Sequence, residues 1–317
     1  MRRPVRPAPN PGALDRWYEA AGVRAGTRRT FRDETEAGKV FFPQYLVPYV
    51  SHEALRDLDP ERMRELTVRH LYQFLLSATH LETRIVNRAA ERIANNRSGV
   101  SLPLSARLDA FKIYCDEGYH ALYSLDLADQ IAAATGIDIP SWDYGGFVDR
   151  LEETGRGLLP DQPWLVPLLQ VVVFETLITA VLNEIPNDSS VITTVRDVMR
   201  DHARDEGHHH RFFAAFFHQL WSQLDSSLRP ATAYALPALA HGCLTWDVEP
   251  VRSSLRLAGL DAATSEQVVR DCYAGEAGTS RIADICRATV RICQSAGVLD
   301  VPGAVDAFAA YKLLPQR

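Results

Sequence analysis

Three side chains in the stretch Arg200–His210 have the types and the spacing of metal ligands. His202, Glu206 and His209 stand at positions i, i+4 and i+7. If the stretch is helical, about 100° of rotation per residue places all three within roughly 60° of arc on one face. Glu-x-x-His is the pair that one helix contributes to a dinuclear carboxylate site. The spacing therefore predicts metal binding.

A second Glu-x-x-His pair, Glu117 with His120, lies upstream, and two single glutamates extend the pattern. Glu82 lies within or beside the apolar stripe of a predicted helix, and Glu175 stands in the apolar run Leu168–Leu182. A carboxylate in such a run must be paired, protonated or bound to metal. Alone, Glu175 is equally well a core glutamate hydrogen-bonded to a neighbouring helix. The order Glu, Glu-x-x-His, Glu, Glu-x-x-His instead predicts a shared di-metal box, whose mixed N/O ligands suit iron or manganese and O2 chemistry.

Two aspartates precede the candidate histidine ligands by one helical turn. Asp116 stands four residues before His120, and Asp205 stands four residues before His209. Each aspartate can accept the outer N–H of that histidine and fix its metal-binding tautomer. A surface position is the commoner fate of an aspartate, but the repetition of Asp-Glu-x-x-His favours the supporting role.

Four long helices must position these residues, and apolar residues recur at helical spacing around each candidate ligand. Asp59 and Ser105 are the predicted N-caps of the first two helices. The predicted ranges are about 59–95, 105–135, 161–184 and 187–224, with further helices at about 231–258, 263–274, 276–296 and 303–313. No strand pattern or repeat is present. The predicted fold is all-α: a ferritin-like four-helix bundle with a di-metal core, an N-terminal arm and additional C-terminal helices.

The 317 residues divide into two unequal parts. Residues 1–58 are predicted to form an N-terminal arm and lead-in, rich in proline and arginine at its start. Residues 59–317 are predicted to form a single all-α di-metal domain. Its four-helix core spans about 59–225, and its C-terminal helices span about 231–313.

The charge, the apolar runs and the cysteines of the sequence argue against several partners and locations. The net charge of −6 and the absence of a basic face argue against nucleic acid. No uninterrupted apolar run reaches the length of a membrane span, and no apolar region follows the N-terminal arginines, so neither a membrane protein nor a secretory signal is expected. Five cysteines, an odd number without a CxxC motif, predict reduced thiols and a cytoplasmic location.

The complete set of candidate ligands resembles the AurF-type p-aminobenzoate N-oxygenases, a family of aryl-amine oxygenases. The candidate ligands are Glu82, Glu117, His120, Glu175, His202, Glu206 and His209. His202 is the distinctive member, because ferritins and ribonucleotide reductase small subunits lack a third histidine in their usual pattern. The resemblance covers the four-helix core, about residues 60–225, and the C-terminal helices.

This resemblance implies a non-haem diiron monooxygenase that uses two iron ions and O2 without an organic cofactor, with manganese as an alternative metal. The implied reaction oxidises a primary amine, aryl or amino-acid-like, to hydroxylamine, nitroso or nitro in specialised-metabolite biosynthesis. One iron would be held by Glu82 and His120 and the other by Glu175, His202 and His209, with Glu117 and Glu206 as bridges.

The resemblance also implies partners: a small-molecule amine, free or tethered to a carrier protein, an external electron donor, and a second copy of the chain in a homodimer. Family substrates often carry a carboxylate, which a bidentate arginine recognises. Arg281 falls where the family places such an arginine, although a solvated helix arginine is the plain alternative. Aromatic candidates for a substrate pocket are Phe74, Tyr114, Phe174 and Phe213.

Three other functions compete with amine oxidation. A diiron oxidase could act on carbon by C–H hydroxylation, desaturation or C–C cleavage. Iron storage or a radical-generating subunit would use a similar ligand box. A purely structural bundle would leave seven glutamates and histidines facing one interior without compensation, which their burial cost disfavours.

Overall fold

The computed structural model describes residues 14–32, 38–182, 184–245, 247–273 and 284–314. Within these ranges the chain is helical and contains no β-strand, and one isolated parallel bridge joins Val40 to Val191. The all-α prediction is therefore confirmed, and the arrangement is that of a ferritin-like helical bundle. No helix in the described ranges combines the length and the apolar character that crossing a bilayer requires.

The helices are named in chain order. They are α1 Trp17–Ala20, α2 Gly22–Ala25, α3 Pro60–Leu81, α4 Asn87–Ala94, α5 Leu104–Thr135, α6 Gly146–Leu158, α7 Val166–Leu182, α8 Thr193–Gln223, α9 Arg229–Cys243, α10 Glu249–Leu257, α11 Ala262–Tyr273, α12 Arg287–Ala296 and α13 Ala304–Ala310. A π-helical turn, Glu82–Val86, joins α3 to α4 without a break.

Local sequence explains some of the helix ends. The Asp59 side chain accepts the backbone N–H groups of the first turn of α3, and Pro60 occupies its first position, as predicted. The predicted cap Ser105 is wrong, because α5 begins one residue earlier at Leu104 and has no side-chain cap. The predicted helix 231–258 is two helices, since Pro250 lacks an N–H and sits in the first turn of α10 instead of inside a longer helix.

The π-helical turn interrupts what periodicity predicted as one helix over 59–95. Glu82 is the first residue of this turn. A π turn takes up an extra residue and so re-aims the side chains that follow it, and such turns are frequent at functional sites. The apolar stripe continues on both sides of the turn, which is why the sequence pattern did not reveal it.

Four long segments form the bundle that surrounds the candidate site. The α3–α4 segment packs on α5, α7 packs on α8, and α5 contacts α8. The π turn contacts both α5 and α7 and so closes the ring of elements. Outside the bundle, α9 and α12 pack on α7, α10 packs on α3, and α2 packs against α5 and α8.

A polar layer divides the interior of the bundle into two apolar clusters. On α5, Ile113 belongs to one cluster and Leu127 to the other. On α8 the corresponding boundaries are Met199 and Phe212. The buried residues between these boundaries include both Glu-x-x-His pairs. Polar groups in such a layer need compensating partners, because burial without them is costly.

Candidate metal centre

The structure brings all seven predicted ligands into the polar layer. Each is at most 3% exposed. The π turn supplies Glu82, α5 supplies Glu117 and His120, and α7 supplies Glu175. The remaining three are His202, Glu206 and His209 of α8.

These side chains form two adjacent groups of four that share one carboxylate. In each group the potential ligand atoms all lie within 4.8 Å of one another. The first group is Glu82, His120, His202 and Glu206, and the second is Glu117, Glu175, Glu206 and His209. Because Glu206 belongs to both groups, it would be the carboxylate that a pair of metal ions shares.

His202 lies in a different group from the one that the resemblance implied. Its Nε2 is 3.3 Å from Glu82 Oε1, and its ring centroid is 4.1 Å from that of His120. It therefore sits with Glu82 and His120, not with Glu175 and His209. The reason is the distance along the axis of α8: His202 and His209 are seven residues apart, which is about 10 Å along a helix. His202 and His209 thus flank Glu206 on opposite sides, although they share one face.

The seven residues fit a pair of metal ions. Buried atoms of five of them make no hydrogen bond: Glu82 Oε2, Glu117 Oε1, His202 Nε2, both carboxylate oxygens of Glu206, and His209 Nδ1. His209 Nδ1 and Glu117 Oε1 approach to 2.7 Å but lack hydrogen-bond geometry, since both face the centre of the group. An unsatisfied buried polar group costs about 1–3 kcal/mol. Mixed carboxylate and imidazole ligands suit iron or manganese.

The pKa values of the buried carboxylates also indicate that the site fits bound cations. Burial and the neighbouring Glu117 raise the pKa of Glu82 well above its usual value, and burial and the charge of Glu206 do the same for Glu175. Burial alone would also raise the pKa of Glu206, but His209, His120 and His202 outweigh it and lower that pKa. Four carboxylates in one apolar interior repel one another, and bound cations reverse that cost.

Two buried aspartates support the histidines, but through crossed contacts. Asp116 of α5 lies 3.2 Å from Nε2 of His209 on α8. Asp205 of α8 lies 3.4 Å from Nε2 of His120 on α5. The predicted pairing within each helix is therefore wrong. The Nδ1 of His120 faces the site, 3.2 Å from Glu117 Oε2. The ring therefore directs Nε2 toward the neighbouring helix, away from the aspartate one turn back.

The N-terminal segment reaches both aspartates. Trp17 Nε1 donates to both carboxylate oxygens of Asp116 at 2.8 Å. The backbone N–H of Gly22 donates to Asp205 Oδ2 at 3.2 Å, and a Cβ on Gly22 would lie only 2.8 Å from that oxygen. Sequence reasoning missed these contacts, because they join positions 99 and 183 residues apart and no spacing rule links them.

Other predicted residues have mixed outcomes. Tyr114 is 43% exposed on the outer face of α5, so it does not line the interior, whereas Phe174 and Phe213 are buried. Tyr123, which was not one of these candidates, also borders the site: its ring centroid lies 5.4 Å from that of His120, and its hydroxyl makes no hydrogen bond. Arg281 lies outside the described residues.

Two Glu-x-x-His pairs and two further glutamates in one buried layer define a ferritin-like di-metal carboxylate protein. The sequence model of one family, described as P-aminobenzoate N-oxygenase AurF, matches residues 30–297. The chain belongs to that family. It is accordingly a diiron monooxygenase of the N-oxygenase type, and the family supports aryl-amine N-oxygenation in general. A search of curated proteins found no match to this chain.

Proposed function

We propose that the chain is an O2-dependent diiron N-oxygenase of specialised-metabolite biosynthesis. Its substrate is a primary amine of a small molecule, aryl or amino-acid-like, which it oxidises to hydroxylamine and onward to nitroso or nitro. The observation that carries the proposal is the pair of four-residue groups that share Glu206 and include the third histidine, His202.

Two iron ions would occupy the two groups, with manganese as an alternative metal. Glu82, His120, His202 and Glu206 would hold one ion, and Glu117, Glu175, Glu206 and His209 would hold the other. When bound, the reduced pair supplies electrons that activate O2. Burial of every ligand keeps bulk water from the centre, which strengthens the electrostatic interactions within it.

Asp116 and Asp205 set the protonation of the histidines in this proposal. Each accepts a hydrogen bond from Nε2–H of a histidine on the other helix, which leaves the Nδ1 lone pair directed to the centre. Such outer partners orient a ligand and raise its basicity. His202 adds a further imidazole donor to the group of Glu82, which favours oxidation of an amine lone pair over attack on an unactivated C–H bond.

Substrate recognition and electron supply complete the proposal. The amine is either free or tethered to a carrier protein, and Arg281 is the candidate for pairing with a substrate carboxylate. Electrons come from an external donor. The enzyme acts as a homodimer in the cytoplasm, where five free cysteines, two of them buried, are stable as thiols.

The test supplies the iron-loaded, reduced enzyme with O2 and a panel of aryl and alkyl amines, each matched with an analogue that bears a C–H bond in place of the amine. Isotopically labelled O2 should place its oxygen on nitrogen, with the carbon skeleton intact. The Glu206→Gln variant serves as the control for uncatalysed oxidation. Oxygen found only on carbon, with the amines untouched, would replace this proposal with the diiron oxidase that acts on carbon.

A further inference from the structure

The outer face of α5 carries an apolar stripe, opposite the face that carries the candidate ligands. Its members recur at alternating intervals of four and three residues: Leu104, Leu108, Phe111, Cys115, Gly118, Leu122 and Leu125. All are exposed. This is the heptad spacing of a helix seam that packs against another helix. No element of the described chain covers it.

The stripe is unusual for a surface. Every exposed residue of α5 from Leu104 to Leu125 is uncharged. Six large side chains on this face, Tyr114 among them, are 43–66% exposed. Half of the exposed large hydrophobic residues of the described chain lie on this one helix. A contiguous apolar patch of this size marks an interaction site.

We propose that a second copy of this chain covers the stripe, with the two α5 helices antiparallel across a two-fold axis at Cys115, the middle member of the stripe. This inference deepens the homodimer proposed above, names its contact face, and rests on that proposal. The stripe of one copy faces the same stripe of the other, which makes an isologous interface of the kind that closes with two copies.

Side-chain sizes along the stripe support the antiparallel register. With the axis at Cys115, the stripe meets itself in reverse order, so Leu104 of one copy faces Leu125 of the other, and Leu108 faces Leu122. Phe111 then faces Gly118, where a Cβ would meet nothing within 4 Å. The largest side chain of the stripe thus meets the residue without one, twice by symmetry. A parallel pairing would instead oppose Phe111 to Phe111 and leave a gap at Gly118.

The area is sufficient for a dimer. The stripe runs over 22 residues, from Leu104 to Leu125, which is about 32 Å of helix. Six large side chains that are about half exposed contribute roughly 600 Å² per copy, or about 1,200 Å² for the pair, which is at the lower end of stable specific interfaces. The uncharged seam has no electrostatic feature that would select a dissimilar partner.

The first test is the mass of the full-length, iron-loaded protein by sedimentation equilibrium. The wild type should have the mass of two chains. Leu108→Glu should raise the dissociation constant of the dimer at least tenfold, because each copy would bury a carboxylate. Leu257→Glu, at a leucine 56% exposed on α10, is the matched control and should leave the dimer intact. A wild-type monomer at micromolar concentration would overturn the proposal, and would leave residues 1–13 as a candidate cover for the stripe.

A second variant tests the direction of the helices. Leu108→Glu combined with Leu122→Lys in one chain should restore the dimer, since opposite charges meet across an antiparallel seam but like charges meet across a parallel one. A short bis-maleimide should also join two copies of the wild type through Cys115, and Cys115→Ser should abolish the product. A dimer that survives Leu108→Glu and gives no product through Cys115 would refute this face.

The iron content of each variant separates this proposal from the proposed function. A monomer that still binds two irons and oxidises amines would refute the interface alone. A dimer that binds no metal would refute the metal centre alone.

Discussion

His209 Nε2 lies 3.2 Å from Asp116 Oδ2 across the contact between α8 and α5, and His120 repeats the contact in the opposite direction with Asp205 at 3.4 Å. Each Asp-Glu-x-x-His motif therefore supports the histidine of the other. The two helices are linked at the centre by two carboxylate–histidine pairs. A substitution of the aspartate on one helix should therefore weaken metal binding by the histidine on the other helix.

Asp116→Asn should lower the metal affinity about 10–100-fold, the usual effect of losing an outer carboxylate partner. Because the contact is crossed, the loss should be coupled to His209 and not to His120. A double-mutant cycle with His209→Gln should give an interaction energy of about 0.5–3 kcal/mol, and the cycle with His120→Gln should be close to additive. Iron competition titrations measure both cycles. Coupling to His120 alone would contradict the crossed contact and would support a contact between Asp116 and His120 within α5.

Trp17→Phe should weaken iron binding and lower the stability of the fold, although Trp17 is not one of the candidate ligands. It removes the indole N–H that donates to both oxygens of Asp116 while keeping most of the ring volume. A hydrogen bond to a charged group contributes about 1.5–3 kcal/mol, so a loss of this order is expected in denaturant unfolding, together with weaker iron binding. Tyr18→Phe, at the neighbouring exposed position, should change neither quantity. An unchanged Trp17→Phe variant would show that the N-terminal segment merely rests on the bundle.

Gly22→Ala should displace Asp205 instead of removing a donor. The added methyl group would lie 2.8 Å from Asp205 Oδ2, so either the carboxylate or the N-terminal segment must move. We expect a reduced iron occupancy, which elemental analysis would detect. Gly157→Ala is the matched control, because a Cβ there meets nothing within 4 Å. Equal iron content in the two variants would contradict the close packing at Gly22.

The sequence was sufficient to predict what repeats along a helix. The two Glu-x-x-His pairs and Glu175 were visible because ligand spacing and apolar context are local properties, and the structure places all seven predicted residues in one layer. The grouping of His202 and the crossed aspartates depend on how α5 and α8 face each other, which no spacing within one helix reveals. Trp17 and Gly22 come from a segment without periodicity, so only the tertiary structure could connect them to the site.

Acid should destabilise the protein partly through a histidine remote from the centre. Burial lowers the pKa of His70 to about 4, from an ordinary value near 6.5. The folded state keeps this ring neutral, whereas the unfolded chain binds a proton below pH 6.5. The resulting stability is present above pH 6.5 and is lost as the pH falls toward 4, by up to about 3 kcal/mol.

His70→Gln removes this titration, so the gap in unfolding free energy between the wild type and this variant should narrow by a similar amount between pH 7 and pH 4. His218→Gln, at an exposed histidine, is the comparison. Denaturant unfolding at several pH values measures the effect. A gap that stays constant with pH would mean that His70 is not held neutral by burial.

The central claim is that two groups of four ligands share Glu206 and hold two metal ions. The direct measurement is the iron content of the purified, reconstituted chain, followed by the visible spectrum after reduction and addition of O2. The claim predicts about two irons per chain, a new absorption band that requires O2, and loss of both in Glu206→Ala. One iron or none in the wild type, or two irons that remain in Glu206→Ala, would contradict it.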